Sequence, residues 1–576
     1  MKKTALLVLV ACLTLASCGG ATDEAAAPAA SQQLPWGDFV AATIDGYYRR
    51  NPETAADAGL HDYDGKMTDM SMAGMKGYAA WIDSVLTQAD AYTGLEGIEA
   101  FERDYLETAL RGELFWLRES DFATTNPLTY ASTIGVAVYI DRDYAPLAHR
   151  LEAYTEYVGH VPGLLAQMRQ NLQPPLPAPY VEMGSKVFGG LVEYLGTTVP
   201  EVFASVDDQA LQGRFREAND AAVASLKETV AWLDKLKATA TDDYALGEKR
   251  FLDMLKSGQG VDVSLAELKA AGQKDLERNL DMLHSACEKF APGESTADCV
   301  LKVQNHKPKD GAVAEARRQL PMLKKFIADN DIATIPGTED ALVDEAPPYR
   351  RFNFAYIDIP GPFEKGLPST YYIAPPDPNW SKEDQLAYIP GVADLLSVST
   401  HEVWPGHFLQ YLHSHRTNNR VGRYFGTYTF SEGWAHYAEQ MMVDAGLGNG
   451  DPEVRIGQLL NALKRDVRYL SAIGLHCEGM TVEESQAMFE DKAFMDYGNA
   501  SQQAYRGTYD PGYLNYTLGK LMIMKLRADW TAGRGGREVW GRFHDQFLSY
   551  GVPPIPLVRA QMLGPDYDGD KSLLPH

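Results

Sequence analysis

Five histidines between residues 401 and 436 are the side chains with the greatest capacity for chemistry. They lie in two segments, STHEVWPGHFLQYLHSH (399–415) and SEGWAHYAE (431–439). A hydrolytic zinc site needs about three protein ligands, an open position for water, and a carboxylate that takes the proton of that water. Histidine and glutamate supply all of these, so the two segments predict a zinc site. The five histidines are His401, His407, His413, His415 and His436.

The spacing of the first pair differs from the usual His-Glu-x-x-His motif, in which the histidines lie about 40° apart around a helix. Here Pro405 occupies the fourth position, and the next histidine, His407, follows His401 by six residues. On a regular helix these imidazoles would be turned apart by about 240°. Because Pro405 interrupts helical hydrogen bonding and Gly406 tolerates unusual backbone angles, we expect a bulge that returns His407 to the face of His401.

The second segment places acidic side chains on one face of a predicted helix. Glu432, His436 and Glu439 are separated by four and three residues, which is helical spacing. A carboxylate some 25 residues after the last histidine is typical of zinc peptidases whose third ligand is Glu. Glu432 is therefore the predicted third ligand, with Glu439 as the second candidate. Glu439 and His436, or Asp444, are the predicted neighbours that orient the ligands.

An ordinary structural interpretation competes with the metal site. A His-Glu pair recurs by chance, His407 could be a core histidine, and HFLQYLHSH could be an amphipathic helix. The second segment, with its in-phase carboxylates, favours the metal. Other chemistry has weaker support, because the sequence has no Gly-x-Ser-x-Gly elbow and no phosphate-binding loop. Cys477 beside His476 is adjacent in sequence only, which does not make a reactive pair.

HEVWPGHFLQ followed by SEGWAHYAE resembles the bacterial domain-of-unknown-function family 885, which is grouped with zincin-like metallopeptidases whose third ligand is Glu. The segments 51–65, 368–377 and 509–527 extend the resemblance to about residues 36–565. It implies a mainly α fold, a large helical bowl of zincin type with a small β-sheet near the active-site helix, and one Zn²⁺ per chain.

The resemblance also implies roles for single residues. His401 and His407 would be zinc ligands, Glu432 the third ligand, and Glu402 the general base. The family shares the Pro-Gly insertion.

In related zincins an edge strand just before the active-site helix binds the substrate backbone. PSTYYIAPP (368–376), with Tyr371 and Tyr372, is the candidate for that strand. The oxyanion of peptide hydrolysis needs a donor besides the metal. Tyr516 is the candidate, with Tyr505 and Arg506 as alternatives, and Arg506 could instead clamp a substrate carboxylate. These tyrosines could equally be core residues, since the chain has 31 of them.

The expected function is that of a zinc metallopeptidase that cleaves short or unfolded peptides in the periplasm, with Glu402 as general base. The sequence leaves two alternatives. One is a non-catalytic lipoprotein that binds metal or peptide, and the other is a zinc amidohydrolase that acts on a non-peptide amide. A binding protein needs no carboxylate at position 402, so Glu402 favours an enzyme.

The N-terminus predicts export. Residues 1–17 combine two lysines with an apolar stretch and form a predicted signal peptide. LASC resembles a bacterial lipobox, which implies lipidation of Cys18, and the following Gly19 favours the periplasmic face of the outer membrane. A plain secretory signal is the alternative. Residues 18–35 are small and polar and predict a flexible tether.

Composition limits the partners. The 576-residue chain has a net charge of −25, which argues against nucleic acid and anionic lipid surfaces. Beyond the leader no apolar run is long enough to span a bilayer, so the only expected membrane contact is the lipid anchor.

The body divides at a turn-rich stretch into a mainly helical half, 36–345, and a catalytic half, 346–576. The spacing predicts a helix over 97–118, and capping-box patterns predict helix starts at Ser264 and Thr481. Strands are predicted within 351–360 and 368–376.

The body has three cysteines. Cys287 and Cys299 flank a loop with Pro292 and Gly293, and an oxidising compartment permits a disulfide between them. Cys477 is then left as a free, buried thiol.

We expect one free thiol in residues 19–576, because that disulfide consumes two of three sulfhydryls. Titration under denaturing, non-reducing conditions measures it, and the reduced chain is the control. Three titratable thiols before reduction would contradict the pairing.

Overall fold

The computed structural model describes residues 33–347, 351 and 354–575, and it is mainly helical with one small sheet, as the sequence predicts. The signal peptide 1–17, Cys18 and most of the tether lie outside the described residues. The first helix begins at Trp36, close to the predicted start of the body.

The helices before the sheet are α1 Trp36–Arg50, α2 Pro52–Asp57, α3 Met72–Asp90, α4 Gly97–Arg118, α5 Phe122–Thr125, α6 Leu128–Ala131, α7 Ala137–Asp141, α8 Leu147–Val158, α9 Val161–Asn171, α10 Ala178–Glu193, α11 Val199–Phe203, α12 Gln209–Leu236, α13 Glu248–Gln259, α14 Leu265–Phe290, α15 Thr296–Asn305 and α16 Ala312–Asp329. Those after it are α17 Lys382–Tyr388, α18 Val392–Glu402, α19 His407–Ser414, α20 Tyr428–Asp444, α21 Pro452–Ile473, α22 Val482–Ala493, α23 Tyr497–Tyr509, α24 Asn515–Thr531, α25 Trp540–Leu548 and α26 Ile555–Leu563.

Local sequence sets several of these boundaries. The Ser264 side chain caps the backbone of Glu267 at the start of α14, and the Glu267 side chain caps Ser264 in return. Thr481 and Glu484 make the same reciprocal pair at α22. Each capping box satisfies backbone N–H groups that a helix start leaves unpaired. Both predicted helix starts are confirmed, and α4 covers the predicted 97–118.

The sheet has three strands, β1 Leu342–Glu345, β2 Ala355–Asp358 and β3 Thr370–Ile373, in the order β1-β3-β2. β1 runs parallel to β3, and β2 runs antiparallel to it. The two predicted strands are confirmed, and β1 is an addition. The expectation that PSTYYIAPP is an edge strand is wrong, because both sides of β3 pair with neighbours and leave no backbone groups for a substrate. The edge strands are β1 and β2.

Two hydrophobic cores organise the described helices. The larger contains residues from Trp36 through Leu574 and so draws on both predicted halves. The second lies almost entirely within residues 130–233, mainly on α8, α9 and α12. The predicted halves therefore share the main core.

Cys287 and Cys299 are joined in a disulfide, and Cys477 is free and partly buried. Within the described ranges, no helix combines the length and the apolar character that crossing a bilayer requires.

A close contact between α20 and α24 lies beside the histidine cluster. Gly433 of α20 meets Gly519 of α24, where a Cβ built on Gly519 would lie 1.9 Å from the Thr429 carbonyl oxygen and 2.7 Å from the Gly433 Cα. Only glycine permits this approach. The contact brings the SEGW segment against the YTLG segment, and with it Tyr516 against the histidine cluster.

Replacing Gly519 with alanine should lower the free energy of unfolding by about 1–3 kcal/mol, because the added methyl group overpacks backbone that cannot move aside. Urea unfolding followed by circular dichroism measures the change. Gly213→Ala, in α12 with open space around its Cα, is the matched control and should leave stability unchanged or slightly raised. Equal effects of the two substitutions would contradict the close-contact account.

Candidate metal centre

The first histidine segment is interrupted rather than bulged. α18 ends at Glu402 and α19 begins at His407, with Pro405 and Gly406 between them. The predicted bulge inside one helix is therefore wrong in form, because the chain breaks into two helices. Its expected consequence is met, since the imidazole centres of His401 and His407 lie 4.8 Å apart.

Two contacts fix this interruption. A Cβ on Gly406 would lie 1.7 Å from the His401 carbonyl oxygen, so position 406 requires glycine. The indole Nε1 of Trp434 donates a hydrogen bond of 2.8 Å to the Pro405 carbonyl. Trp434 is fully buried in α20, so the second histidine segment holds the first in place.

Three donor atoms converge at the junction of α18, α19 and α20. Oε2 of Glu432 lies 3.3 Å from Nε2 of His401 and 3.5 Å from Nε2 of His407. The three ligand atoms lie within 4.8 Å of one another. Burial opposes ionisation of Glu432, but the two histidines outweigh it and hold the pKa of its carboxyl well below the usual range. Two imidazoles and one carboxylate are a donor set that could hold a metal ion.

A second carboxylate, that of Glu439, pairs with the Nδ1 side of the His401 ring. Nδ1 of His401 lies 2.7 Å from Oε1 of Glu439, and Arg465 pairs with the same oxygen at 2.9 Å. Ser397 donates to the other oxygen at 3.2 Å. Burial opposes ionisation of Glu439, but Arg465 and His401 keep its pKa well below the usual range. A carboxylate that accepts from Nδ1 leaves Nε2 free to bind a metal.

Protonation of His401 depends on the same neighbours. Burial and Arg465 oppose its positive charge, but the carboxylates of Glu432 and Glu439 outweigh them and raise its pKa to about 9. In the absence of a cation, a proton on His401 therefore compensates the two carboxylates.

Glu402 lies between the histidines and the sheet. Its Oε2 accepts a hydrogen bond of 3.2 Å from the backbone N–H of Ile357 in the edge strand β2. That N–H points toward Glu402, so Glu402 lies along the free edge of the strand. Burial raises the pKa of the Glu402 carboxyl, although His401 and His407 oppose the shift. A raised pKa makes it a better proton acceptor near neutral pH.

Tyr516 lies beside the cluster. Its ring is nearly parallel to that of His401, at 19° with ring centres 6.3 Å apart, and only 8% of the residue is exposed. Burial and the nearby Glu432 raise the pKa of its hydroxyl, which therefore stays protonated and able to donate. Arg506 lies further from the donor atoms and reaches Tyr516 only through Tyr428. It donates to Asp510 at 2.9 Å and to the Tyr428 hydroxyl at 3.0 Å, and the Tyr428 ring contacts Tyr516.

Three predicted residues are not brought to the donor atoms. Tyr505 faces α10, where Lys186 lies 6.0 Å from its ring. Tyr371 is fully buried in β3, and Tyr372 points to the opposite face of the sheet, where its ring lies 5.3 Å from that of Tyr356. For the two strand residues, the reason is that β3 is the central strand of the sheet. Tyr371 is fully buried, and its role as a substrate contact stays a prediction.

His436 is adjacent to the site but is not aimed at the ligand atoms. Its Nδ1 lies 3.7 Å from Oε2 of Glu439, and burial with the nearby Lys520 lowers its pKa to about 3. It therefore packs behind Glu439 as a neutral imidazole, as the predicted neighbour of the ligands.

Two arginines of α21 were not singled out by the sequence. Arg465 anchors Glu439, and the guanidinium carbon of Arg468 lies 5.0 Å from the centre of the Tyr516 ring. They lie in PEVRIGQLLNALKRDVRYLSAI, whose residues show only an ordinary amphipathic pattern. An arginine at a buried helix position is the one available signal, because charged residues are seldom buried without a partner.

Comparison with known proteins identifies the fold. The chain superimposes on the structure of "a putative lipoprotein of unknown function" from Shewanella oneidensis, with a TM-score of 0.78 and 23% identity, over 92% of this chain and 100% of the other. A "putative lipoprotein" from Colwellia psychrerythraea matches with a TM-score of 0.77 and 16% identity, over 92% of this chain and 98% of the other. Both likenesses are of fold.

Among curated proteins, none matches the chain. The model of the family described as bacterial protein of unknown function, DUF885, matches residues 52–562. That range covers most of the chain, including both histidine segments and Tyr516. The protein therefore belongs to the DUF885 family.

Proposed function

We propose that the protein is a zinc-dependent hydrolase with a zincin-type fold, and that it is a metallopeptidase acting on short or unfolded peptides. One observation carries the proposal. Ligand atoms of His401, His407 and Glu432 lie within 4.8 Å of one another, and Glu402 is near enough to both histidines for their charges to oppose the rise in its pKa. Three ligands with a neighbouring carboxylate are the minimum set for metal-assisted hydrolysis.

The donor atoms of His401, His407 and Glu432 are better placed to bind a cation than to form hydrogen bonds with one another. Oε2 of Glu432 is buried and has no hydrogen-bond partner among the described residues. Nδ1 of His401 faces Glu439, so neutral His401 would present its Nε2 lone pair to Glu432, and a proton or a metal ion must lie between these two atoms. Acceptor atoms gathered in a buried position are costly unless a positive charge lies between them. Nitrogen and oxygen donors in this number favour zinc over magnesium or calcium, which prefer oxygen alone.

A zinc ion held by these ligands would supply Lewis acidity toward the scissile carbonyl and would lower the pKa of water. Glu402 takes a proton from the attacking water and delivers it to the leaving amine. Tyr516 donates its hydroxyl proton in a hydrogen bond to the developing oxyanion, which needs a preorganised donor. Glu439 and Arg465 hold His401 in one orientation throughout, so the ligand does not reorganise during turnover.

The free edge of β2 supports a peptide as the substrate. Glu402 lies along that edge through its bond with the Ile357 N–H. An extended peptide that paired with β2 would run past Glu402, because strand addition uses the outward backbone groups of an edge strand, and it would take the Ile357 N–H from Glu402. β2 therefore takes the role that the sequence assigned to β3. A zinc amidohydrolase acting on a non-peptide amide would use the same ligands without the strand.

The second candidate function is a metal- or peptide-binding lipoprotein without catalysis. The ligand set would serve it equally, but the buried Glu402, with its raised pKa, would have no task in it. We further propose that the protein is anchored through lipidated Cys18 to the periplasmic face of the outer membrane, with no nucleic-acid partner.

The purified chain should contain about one zinc per molecule, and His401→Ala should lose it, because the variant removes one of three protein ligands. Elemental mass spectrometry after chelator-free purification measures the content. His284→Ala, which changes an exposed histidine of α14, is the control and should keep the metal. A chain that holds no stoichiometric metal even after zinc reconstitution would contradict the proposal and favour a degenerate site.

Glu402→Gln should keep zinc and lose at least about 100-fold in kcat on a mixed peptide library, because the amide cannot accept a proton. Mass spectrometry of the products measures turnover. Glu288→Gln, an exposed position of α14, should leave kcat unchanged. Full activity of Glu402→Gln would remove Glu402 from the mechanism.

A further inference from the structure

Three guanidinium groups surround Tyr516 beside the candidate metal centre. Arg465 and Arg468 come from α21, with guanidinium carbons 5.7 and 5.0 Å from the centre of the Tyr516 ring. Arg506 comes from α23 and reaches the same region through Tyr428. Positive charge is therefore concentrated on one side of the ligand atoms, in a protein whose overall charge is −25.

Two of these arginines have carboxylate partners. Arg465 pairs with Glu439 at 2.9 Å, and Arg506 pairs with Asp510 at 2.9 Å. Each positive charge is compensated within the protein, so neither arginine requires an outside anion.

Arg468 differs from the other two. Its Nε donates to the neutral amide oxygen of Gln503 at 2.7 Å, and no carboxylate among the described residues lies within ion-pairing distance. Only 8% of Arg468 is exposed. Burial and the charges of Arg506 and Arg465 lower its pKa, although Tyr516 opposes the shift. A nearly buried guanidinium without an anionic partner is costly, which indicates that its partner comes from outside the chain.

The position of Arg468 limits what that partner can be. Its guanidinium carbon lies 5.0 Å from the Tyr516 ring centre, which lies 6.3 Å from the His401 ring centre, so it lies within about 11 Å of the imidazole. One or two extended residues span roughly 3.5 to 7 Å, and a carboxylate hydrogen-bonded to a guanidinium adds a few ångströms. A carboxylate on Arg468 therefore belongs to the first or second residue beyond the scissile bond.

We propose that Arg468 binds the C-terminal carboxylate of the substrate, so that the protein removes one or two residues from the C-terminal end of peptides. This inference rests on the proposed peptidase function. Water supplies a hydroxyl group to the scissile acyl carbon and a hydrogen to the leaving nitrogen as the C–N bond breaks. The products are a peptide with a new carboxylate and a free amino acid or dipeptide.

Two libraries of N-acetylated tetrapeptides test the inference. Both are built from Ala, Gly, Ser, Val, Leu and Phe, without acidic residues, and they differ only in ending as a free carboxylate or a carboxamide. Binding is measured on the full-length, zinc-reconstituted Glu402→Gln chain by mass spectrometry of the depleted library. We expect the free-acid peptides to bind at least about tenfold more tightly, since charge-assisted pairing with a buried guanidinium is strong.

Variants at position 468 assign the preference to one side chain. Adding Arg468→Met to Glu402→Gln should reduce the acid-to-amide ratio to about 1, and Arg468→Lys should keep part of it because the charge remains. Arg455→Met is the matched control, since Arg455 lies on the same helix and pairs with Asp444 away from the site. Melting curves and zinc content check that each variant is folded.

The outcomes separate this inference from the proposed function. A ratio near 1 before any change at Arg468, an unchanged ratio in Arg468→Met, or no binding of either library would overturn the carboxylate site. The first of these needs no folded variant. Hydrolysis of both libraries alike by the zinc-loaded, unsubstituted chain would refute the carboxylate site and keep the peptidase. Preferential binding of free acids without hydrolysis would refute the peptidase and keep the site.

Discussion

The candidate metal centre depends on one interruption of the backbone, between Glu402 and His407. A continuous helix would turn the two imidazoles apart by about 240°, whereas the break brings their centres to 4.8 Å. Pro405 ends the helical hydrogen bonding, and Gly406 allows the chain to touch the His401 carbonyl. Trp434 then holds the Pro405 carbonyl. Pro405 and Gly406 make the spacing differ from the usual zinc-peptidase motif, and the same two residues bring the histidines together.

Charge compensation explains why the elements behind the centre are also fixed. Glu439 is buried, and a buried carboxylate requires partners with good geometry. Arg465 from α21 supplies one, so the position of His401 depends on the contact between α18 and α21. On the far side, Lys520 of α24 is fully buried and pairs with Asp275. The first pair joins α21 to α20 and the second joins α24 to α14, so displacement of any of these helices would leave an uncompensated charge in the core.

The sequence predicted the parts of the site that lie within short segments. His401, His407 and Glu432 lie in two short motifs whose residue types alone indicate metal binding. Capping boxes predict helix starts because their hydrogen bonds join residues only three positions apart. Arg465 and Arg468 were not predicted as site residues, because their contacts form only when α21 packs against α18 and α24. The order of the strands was not predicted either, because it also depends on tertiary packing. Alternation of residues indicates a strand, but whether β3 is central depends on a partner that begins near residue 342 in a turn-rich stretch.

An enzyme and a carrier would place different demands on this arrangement. A carrier gains affinity from a saturated, shielded metal and has no use for an additional acidic group beside it. Here the base candidate Glu402 lies on the free edge of β2, and an uncompensated guanidinium, Arg468, lies beyond Tyr516. Each group carries a cost in the free protein, one in burial and one in unpaired charge. In the proposed peptidase, a bound peptide with a terminal carboxylate would supply the missing partner of Arg468 and would lie beside Glu402. This favours a substrate that is bound, cut and released over a metal that is merely held.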